Sequence, residues 1–232
     1  MLKLQTKELF LAAALCLGAD LASAQVCSEW LWSNPMPQGN RLNGAAYGGG
    51  VFVAVGSAGA VLTSSDGASW TPRFPNTRSD LFDVTWNGKL FVAVGAGGAA
   101  FTSPDGVFWA QKPVGSAATL RRMAWNGTIL AAVGDSGAIL TSLDGSVWTP
   151  RSSGSDQVLR DIAWNGSRFV TVGDLGTILV SADATAWARS PFETSGLLST
   201  VAWNGSEFVV GGAGFLTSFV LHGADGMSWT SD

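Results

Sequence analysis

The sequence predicts an all-β protein, a β-propeller of about five four-stranded antiparallel blades built on a 39-residue repeat, and three observations predict it. Trp86, Trp125, Trp164 and Trp203 stand 39 residues apart, each opening a Trp-Asn-Gly turn, and Tyr47 with Gly48-Gly49 holds the same place one repeat earlier. A second series, Trp70, Trp109, Trp148 and Trp187, keeps the same 39-residue step, and Trp229 follows after 42. Finally, the 30 glycines and 8 prolines interrupt every stretch before a helical period can develop. Repetition at such a period marks tandem supersecondary units.

The third copy gives the order of elements. Leu120 to Trp125 reads as a first strand, Asn126-Gly127 as a turn and Ile129 to Val133 as a second strand. Ala138 to Ser142 is the third strand, Asp144-Gly145 the next turn, and Val147 to Pro150 the fourth strand. Asn-Gly and Asp-Gly suit tight hairpins, which need residues tolerant of positive φ. Val133 to Gly137 marks the middle turn in the same way. A four-stranded unit of this size cannot bury both faces alone, so neighbouring copies press face to face, and radial stacking into a propeller satisfies them. The tryptophans then serve as wedges between blades.

Composition limits the function. Only 13% of the 232 residues are charged, against roughly 25% in ordinary soluble domains, which excludes disorder and coiled coil. Thirteen cations against 17 acids, a net charge of -4, include no basic run able to track a phosphate backbone, so nucleic acid is not an expected partner. One histidine, two cysteines and no Asp-x-Asp-x-Asp run give no zinc or EF-hand spacing, and no metal or cofactor is expected. The glycine-rich turns open no helix and therefore do not read as phosphate loops. Asn126, Asn165 and Asn204 fit the glycosylation sequon, but the hairpin already accounts for Asn-Gly.

Residues 1–24 read as a signal peptide. Lys3 and Lys7 precede an apolar run from Leu9 to Ala19, and Ala22 and Ala24 fit an A-x-A cleavage site. An apolar run of this length is short of the roughly 20 residues that span a bilayer, so a secreted or periplasmic protein without a transmembrane anchor is expected. Cleavage after Ala24 leaves Cys27 as the single thiol. Residues 25–40 hold Trp32 and Pro35, which resemble the last strand of a copy and offer a strand for ring closure; residues 41–232 form the propeller. A ring left open would invite self-association through its bare sheet.

The hairpins carry a family resemblance. Ser64-Ser65-Asp66-Gly67-Ala68-Ser69-Trp70, Ser103-Pro104-Asp105-Gly106-Val107-Phe108-Trp109 and Ser142-Leu143-Asp144-Gly145-Ser146-Val147-Trp148 resemble the Asp-box, or BNR, hairpin of propellers, shortened by one residue between Asp and Gly. With the Phe-Val-Ala-Val-Gly strand that precedes them, the copies resemble WD40/YVTN/BNR-like and photosystem II assembly-factor-like secreted propellers over residues 41–232. The fourth copy departs by placing Ala184 where the glycine stands, and the fifth replaces the serine by Gly223 and adds three residues before Asp225.

Asp66, Asp105, Asp144, Asp183 and Asp225 are therefore expected to be fold devices, accepting backbone N–H groups across each turn. Resemblance to sialidases would imply an arginine cluster and a tyrosine nucleophile paired with a glutamate. That set is not evident: Tyr47 occupies a repeated packing position, and the glutamates after residue 24 are Glu29, Glu193 and Glu207. No motif selects a carboxylate pair of the kind a glycosidase needs.

A ligand surface is expected where the copies disagree. After the repeated leucine, the next two positions read Asn43-Gly44, Phe82-Asp83, Arg121-Arg122, Arg160-Asp161 and Ser199-Thr200. Innermost first strands, which the resemblance implies, bring these residues to the mouth of the central channel. The surface is expected to comprise Arg121, Arg122, Arg160 and Asp161, with Asp83, Asp135 and Asp174 as outer members. Function then falls to a non-enzymatic exported scaffold for a protein or glycan partner, with an assembly factor as a specialised form. A glycan-active hydrolase and a degenerate repeat protein without a present role are the alternatives.

Overall fold

A computed structural model describes residues 39–214 and 218–231. The chain is a β-propeller of five four-stranded antiparallel blades. The first blade contains β1 (Leu42–Gly48), β2 (Val51–Gly56), β3 (Val61–Ser64) and β4 (Thr71–Arg73). The second has β5 (Leu81–Trp86), β6 (Phe91–Gly95), β7 (Ala100–Ser103) and β8 (Ala110–Gln111), and the third β9 (Leu120–Trp125), β10 (Leu130–Gly134), β11 (Ile139–Ser142) and β12 (Thr149–Arg151). The fourth comprises β13 (Leu159–Trp164), β14 (Phe169–Gly173), β15 (Ile178–Ser181) and β16 (Ala188–Arg189). The fifth comprises β17 (Leu197–Trp203), β18 (Phe208–Ala213), β19 (Ser218–Gly223) and β20 (Thr230–Ser231). Strands follow sequence order in every sheet, and the bounds differ from the sequence reading by one or two residues.

Each junction between consecutive blades holds one apolar cluster. Between the second and third blades, Val92, Val94 and Ala100 of one meet Leu120, Met123, Leu140 and Trp148 of the other. The same positions meet at the other three junctions. Both tryptophan series contribute: Trp125 and Trp148 pack into the cluster between the second and third blades, Trp164 and Trp187 into the next. Burying such aromatic and aliphatic faces is what fixes one sheet upon the next.

The first strands β1, β5, β9, β13 and β17 pack consecutively, so they line the axis. No comparable packing joins β17 to β1 among the described residues. The exposure pattern agrees: Leu42 is 45% exposed, whereas Leu81, Leu120, Leu159 and Leu198 are at 0%. Gly67 likewise lies open, while Gly106, Gly145, Ala184 and Gly226 at the same hairpin position are buried by the preceding blade. The expected signal peptide, Cys27 and the strand anticipated at 25–40 lie outside the described residues except for the last two positions, 39 and 40.

The hairpin aspartates do what their position requires. Oδ1 of Asp144 accepts the N–H groups of Ser146 at 2.7 Å and Val147 at 3.2 Å, and Ser142 Oγ accepts Gly145 N–H at 2.8 Å. The equivalent pair of N–H bonds recurs at Asp66, Asp105, Asp183 and Asp225. Behind each turn the tryptophan indole donates to the carbonyl three residues back, Trp148 to Gly145 at 3.1 Å.

Candidate functional site at the channel mouth

A β-bulge interrupts the first strand of every blade directly after the repeated leucine. The pairing with the second strand skips Asn43, Phe82, Arg121, Arg160 and Ser199 in turn. A residue left out of the ladder is free to re-aim its side chain. All five line one cavity of about 350 Å³ at the mouth, together with Arg41 and Arg122. Each blade thus contributes one bulge residue to the same site.

The residue after the bulge returns to the ladder and points toward the neighbouring blade. Asp83 Oδ2 accepts Met123 N–H of the third blade at 2.7 Å, and Asp161 Oδ2 accepts Val201 N–H of the fifth at 2.9 Å. Thr200 Oγ1 donates to Asp161 at 2.8 Å as well. Arg122 works in the opposite direction, its guanidinium donating to the carbonyls of Phe82 and Arg121, each at 2.9 Å. These contacts tie inner strands together by side chain.

The expected ligand surface therefore divides. Arg121, Arg122 and Arg160 meet at the cavity, whereas none of Asp83, Asp135, Asp161 and Asp174 lines it. Asp135 and Asp174 sit in the middle turns and pair with the bulge arginines of their own blades, Arg121 with Asp135 at 2.5 Å and Arg160 with Asp174. Arg121 also lies 5.8 Å from the centre of the Phe82 ring. Asp83 is an inter-blade latch, and burial raises its carboxyl to about 7 against the lowering effect of Met123 N–H and Arg122. Asp161 lies 4.0 Å from Arg122 Nε.

Sequence reasoning missed Arg41, which precedes the repeated leucine and so falls outside the compared pairs. It also left Asn43, Phe82 and Ser199 off the site, although their place after the leucine is the signal that finds them. Ser199 donates to the Gly211 carbonyl at 3.1 Å, and no histidine or carboxylate lines the cavity beside it. Among the described residues no group of three His, Cys, Asp or Glu side chains is placed to hold a metal ion. No described helix is long and apolar enough to cross a membrane.

All-β architecture, five blades and inner strands around an axis define a β-propeller, and solved propellers are what this chain is similar to. YCF48 bound to a D1 peptide superimposes with a TM-score of 0.64 at 19% identity, over 83% of this chain and 66% of that one. The chain thus spans just under two thirds of that protein's length. YCF48 from Cyanidioschyzon merolae gives 0.63 at 15% identity, covering 83% and 72%. A nidogen/laminin complex gives 0.64 at 14%, covering 82% and 80%. No protein family and no curated protein matches the sequence.

Proposed function

We propose that the protein is an exported, non-enzymatic propeller scaffold that holds an acidic segment of a partner protein at the mouth, in an assembly or stabilising role. The observation that carries this reading is the cavity walled by Arg41, Arg121, Arg122 and Arg160 with no carboxylate in its lining. Guanidinium groups present planar forks that carboxylates fit. Arg121 and Arg160 are held in place by Asp135 and Asp174, and Arg122 spends Nη1 on two carbonyls and faces Asp161, which leaves Arg41, with the remaining N–H groups of Arg122, for an incoming anion. Asn43 and Phe82 add an amide and an aromatic edge to orient a peptide. One structural neighbour, YCF48, is bound to a D1 peptide, which supports a peptide over a glycan as the ligand. The absence of a base beside Ser199 supports binding without chemistry.

The test is titration of a fluorescein-labelled glutamate-rich peptide into the protein at low and high salt. Binding that weakens at least about tenfold in Arg41→Ala/Arg122→Ala, with Arg41→Ala alone leaving the melting temperature in place, supports the reading. Unchanged affinity overturns it. Hydrolysis of a glycan that disappears in Asp161→Asn replaces it with the hydrolase reading.

A further inference from the structure

At the end of the propeller away from the mouth, the copies disagree in a second, separate way. Turns between first and second strands and between third and fourth strands share this base end, because successive strands run antiparallel. In the hairpins, the residue before the aspartate and the residue before the tryptophan are Ser65 and Ser69 in the first blade, and Ala182 and Ala186 in the fourth. In the second and third blades they are Pro104 and Phe108, and Leu143 and Val147.

The turn itself asks nothing of these side chains. Phe108 and Val147 contribute only their N–H groups to Asp105 and Asp144, as Ala186 does in its own turn. Yet Phe108 is 77% exposed, Leu143 69% and Val147 72%. Large apolar side chains gathered at one place on a surface mark interaction sites, whereas scattered ones do not. Leu143 and Val147 share one turn, and that turn sits at the root of the second hairpin, which carries Phe108: a Cβ on Gly145 would lie 3.4 Å from Thr102 Cγ2, and Asn87 Nδ2 donates to the Asp144 carbonyl at 3.4 Å. Beside Leu143 and Val147 opens a cavity of about 320 Å³, walled also by Ile129, Thr141 and Arg151. Arg151 Nε donates to Thr141 Oγ1 at 3.0 Å, which lays the guanidinium along the wall. The space suits one aliphatic or aromatic side chain.

Charge selects the occupant. The base end carries six carboxylates, Asp66, Asp105, Asp144, Asp183, Asp225 and Glu207, against Lys89 and Arg168 in the turns and Arg151 on the cavity wall. The Thr185 hydroxyl at Asp183 and the hairpin N–H bonds at all five hold these aspartates below the usual carboxylate range, so this end stays anionic well into acid. An anionic membrane surface is repelled by such a face, and a cationic chain is attracted to it.

We propose that the rim formed by the hairpins of the second and third blades docks a basic protein segment that carries apolar anchor residues, with one anchor in the cavity between Leu143 and Val147. This surface lies at the opposite end from the mouth and does not depend on what binds there. With both ends engaged, the propeller is an adaptor: its arginine-lined mouth and its anionic base take different partners.

The probe is a fluorescein-labelled synthetic peptide of leucine pairs flanked by lysines, measured by anisotropy, with amide hydrogen exchange to locate it. The expected result is saturable binding that protects amides in the two hairpins, weakens with salt, and falls at least about tenfold in Phe108→Ser/Leu143→Ser/Val147→Ser. Serine is the first blade's own residue at both hairpin positions, so the fold should tolerate it, and Phe108→Ser alone serves if the triple variant does not fold. Equal affinity in the variants overturns the proposal, as does protection confined to other blades or equal binding of a peptide with glutamate for lysine. Binding of the native protein, but not the triple variant, to phosphatidylcholine vesicles with no response to the peptide assigns the patch to a lipid surface instead. Failure of the mouth variants leaves these readouts unaffected.

Discussion

Ala184 and Ala131 compensate one another across the junction of the third and fourth blades. At the other covered hairpins a glycine in the left-handed region faces a valine: a Cβ on Gly106 would lie 2.7 Å from Val53 Cγ2, on Gly145 2.5 Å from Val92 Cγ2, and on Gly226 2.6 Å from Val170 Cγ2. The fourth hairpin carries Ala184 at φ 61, and the residue standing where those valines stand is Ala131. Both alanines are fully buried in one cluster. The missing glycine that breaks the repeat is thus matched by a missing isopropyl group in the preceding blade.

Ala131→Val should therefore destabilise the protein by about 1–3 kcal/mol through overpacking, although valine is the repeat's usual residue there. Adding Ala184→Gly to that variant should recover most of the loss. A double-mutant cycle by urea unfolding measures the coupling, and additive effects would show that the two positions are independent.

Gly145→Ala and Gly67→Ala separate backbone strain from steric conflict. Both positions have positive φ, 80 and 73. A Cβ at Gly145 meets Val92, whereas one at Gly67 has nothing nearer than Phe52 Cε2 at 3.7 Å. Thermal unfolding should show the larger loss for Gly145→Ala, with Gly67→Ala limited to roughly the 1 kcal/mol that a left-handed non-glycine commonly costs.

Removing a hairpin acceptor should weaken the fold and leave binding at the mouth alone. Asp144→Ala is expected to lower stability by about 1 kcal/mol, because Ser146 and Val147 lose their acceptor at an exposed turn where water replaces it. Loss of binding at the mouth with unchanged melting would assign the aspartate a role other than holding the turn.

Stability should peak in mildly acidic solution, since two sets of carboxyls pull in opposite directions. Asp66 is held at about 2 by the N–H groups of Ser69 and Ala68, below its ordinary 3.8, so its contribution is complete above 3.8 and is lost as pH falls toward 2. Asp83 is raised to about 7, chiefly by burial. The folded protein therefore binds its proton more tightly than the unfolded chain, and stability declines as pH rises from about 4 to about 7. Unfolding measured across pH 2–8 should show both slopes, and Asp83→Asn should flatten the second.

Export predicts a mature chain that begins at Gln25 and contains one thiol. N-terminal sequencing of the secreted protein and titration with a thiol reagent check both; material that retains Met1 in a membrane fraction contradicts both.

Two tryptophan series in step were enough to give the architecture, because a blade that must bury both faces repeats its wedge residues at a fixed interval. The site was legible only in part. Comparing copies located the pairs after Leu81, Leu120 and Leu159, but the bulge decides which member of each pair faces the axis, and a bulge leaves little trace in composition. It sends Arg121 and Arg160 into the cavity and turns Asp83 and Asp161 into latches. A subtler signal was available: the two copies with arginine at the bulge carry Asp135 and Asp174 fourteen residues later, where the others have Ser57, Ala96 and Ala213. That joint change within one chain announces an ion pair. Arg41 had no such correlate.

The blades form five separate sheets, and no ladder crosses from one to the next. Near the axis, adjacent inner strands are instead linked by a few side-chain latches such as Asp83 to Met123 and Asp161 to Val201. At those two junctions the spacing of the inner strands therefore rests on the length of one side chain as well as on the apolar cluster behind it. Lengthening Asp83 or Asp161 by one methylene should strain that junction without altering a single residue on the cavity wall.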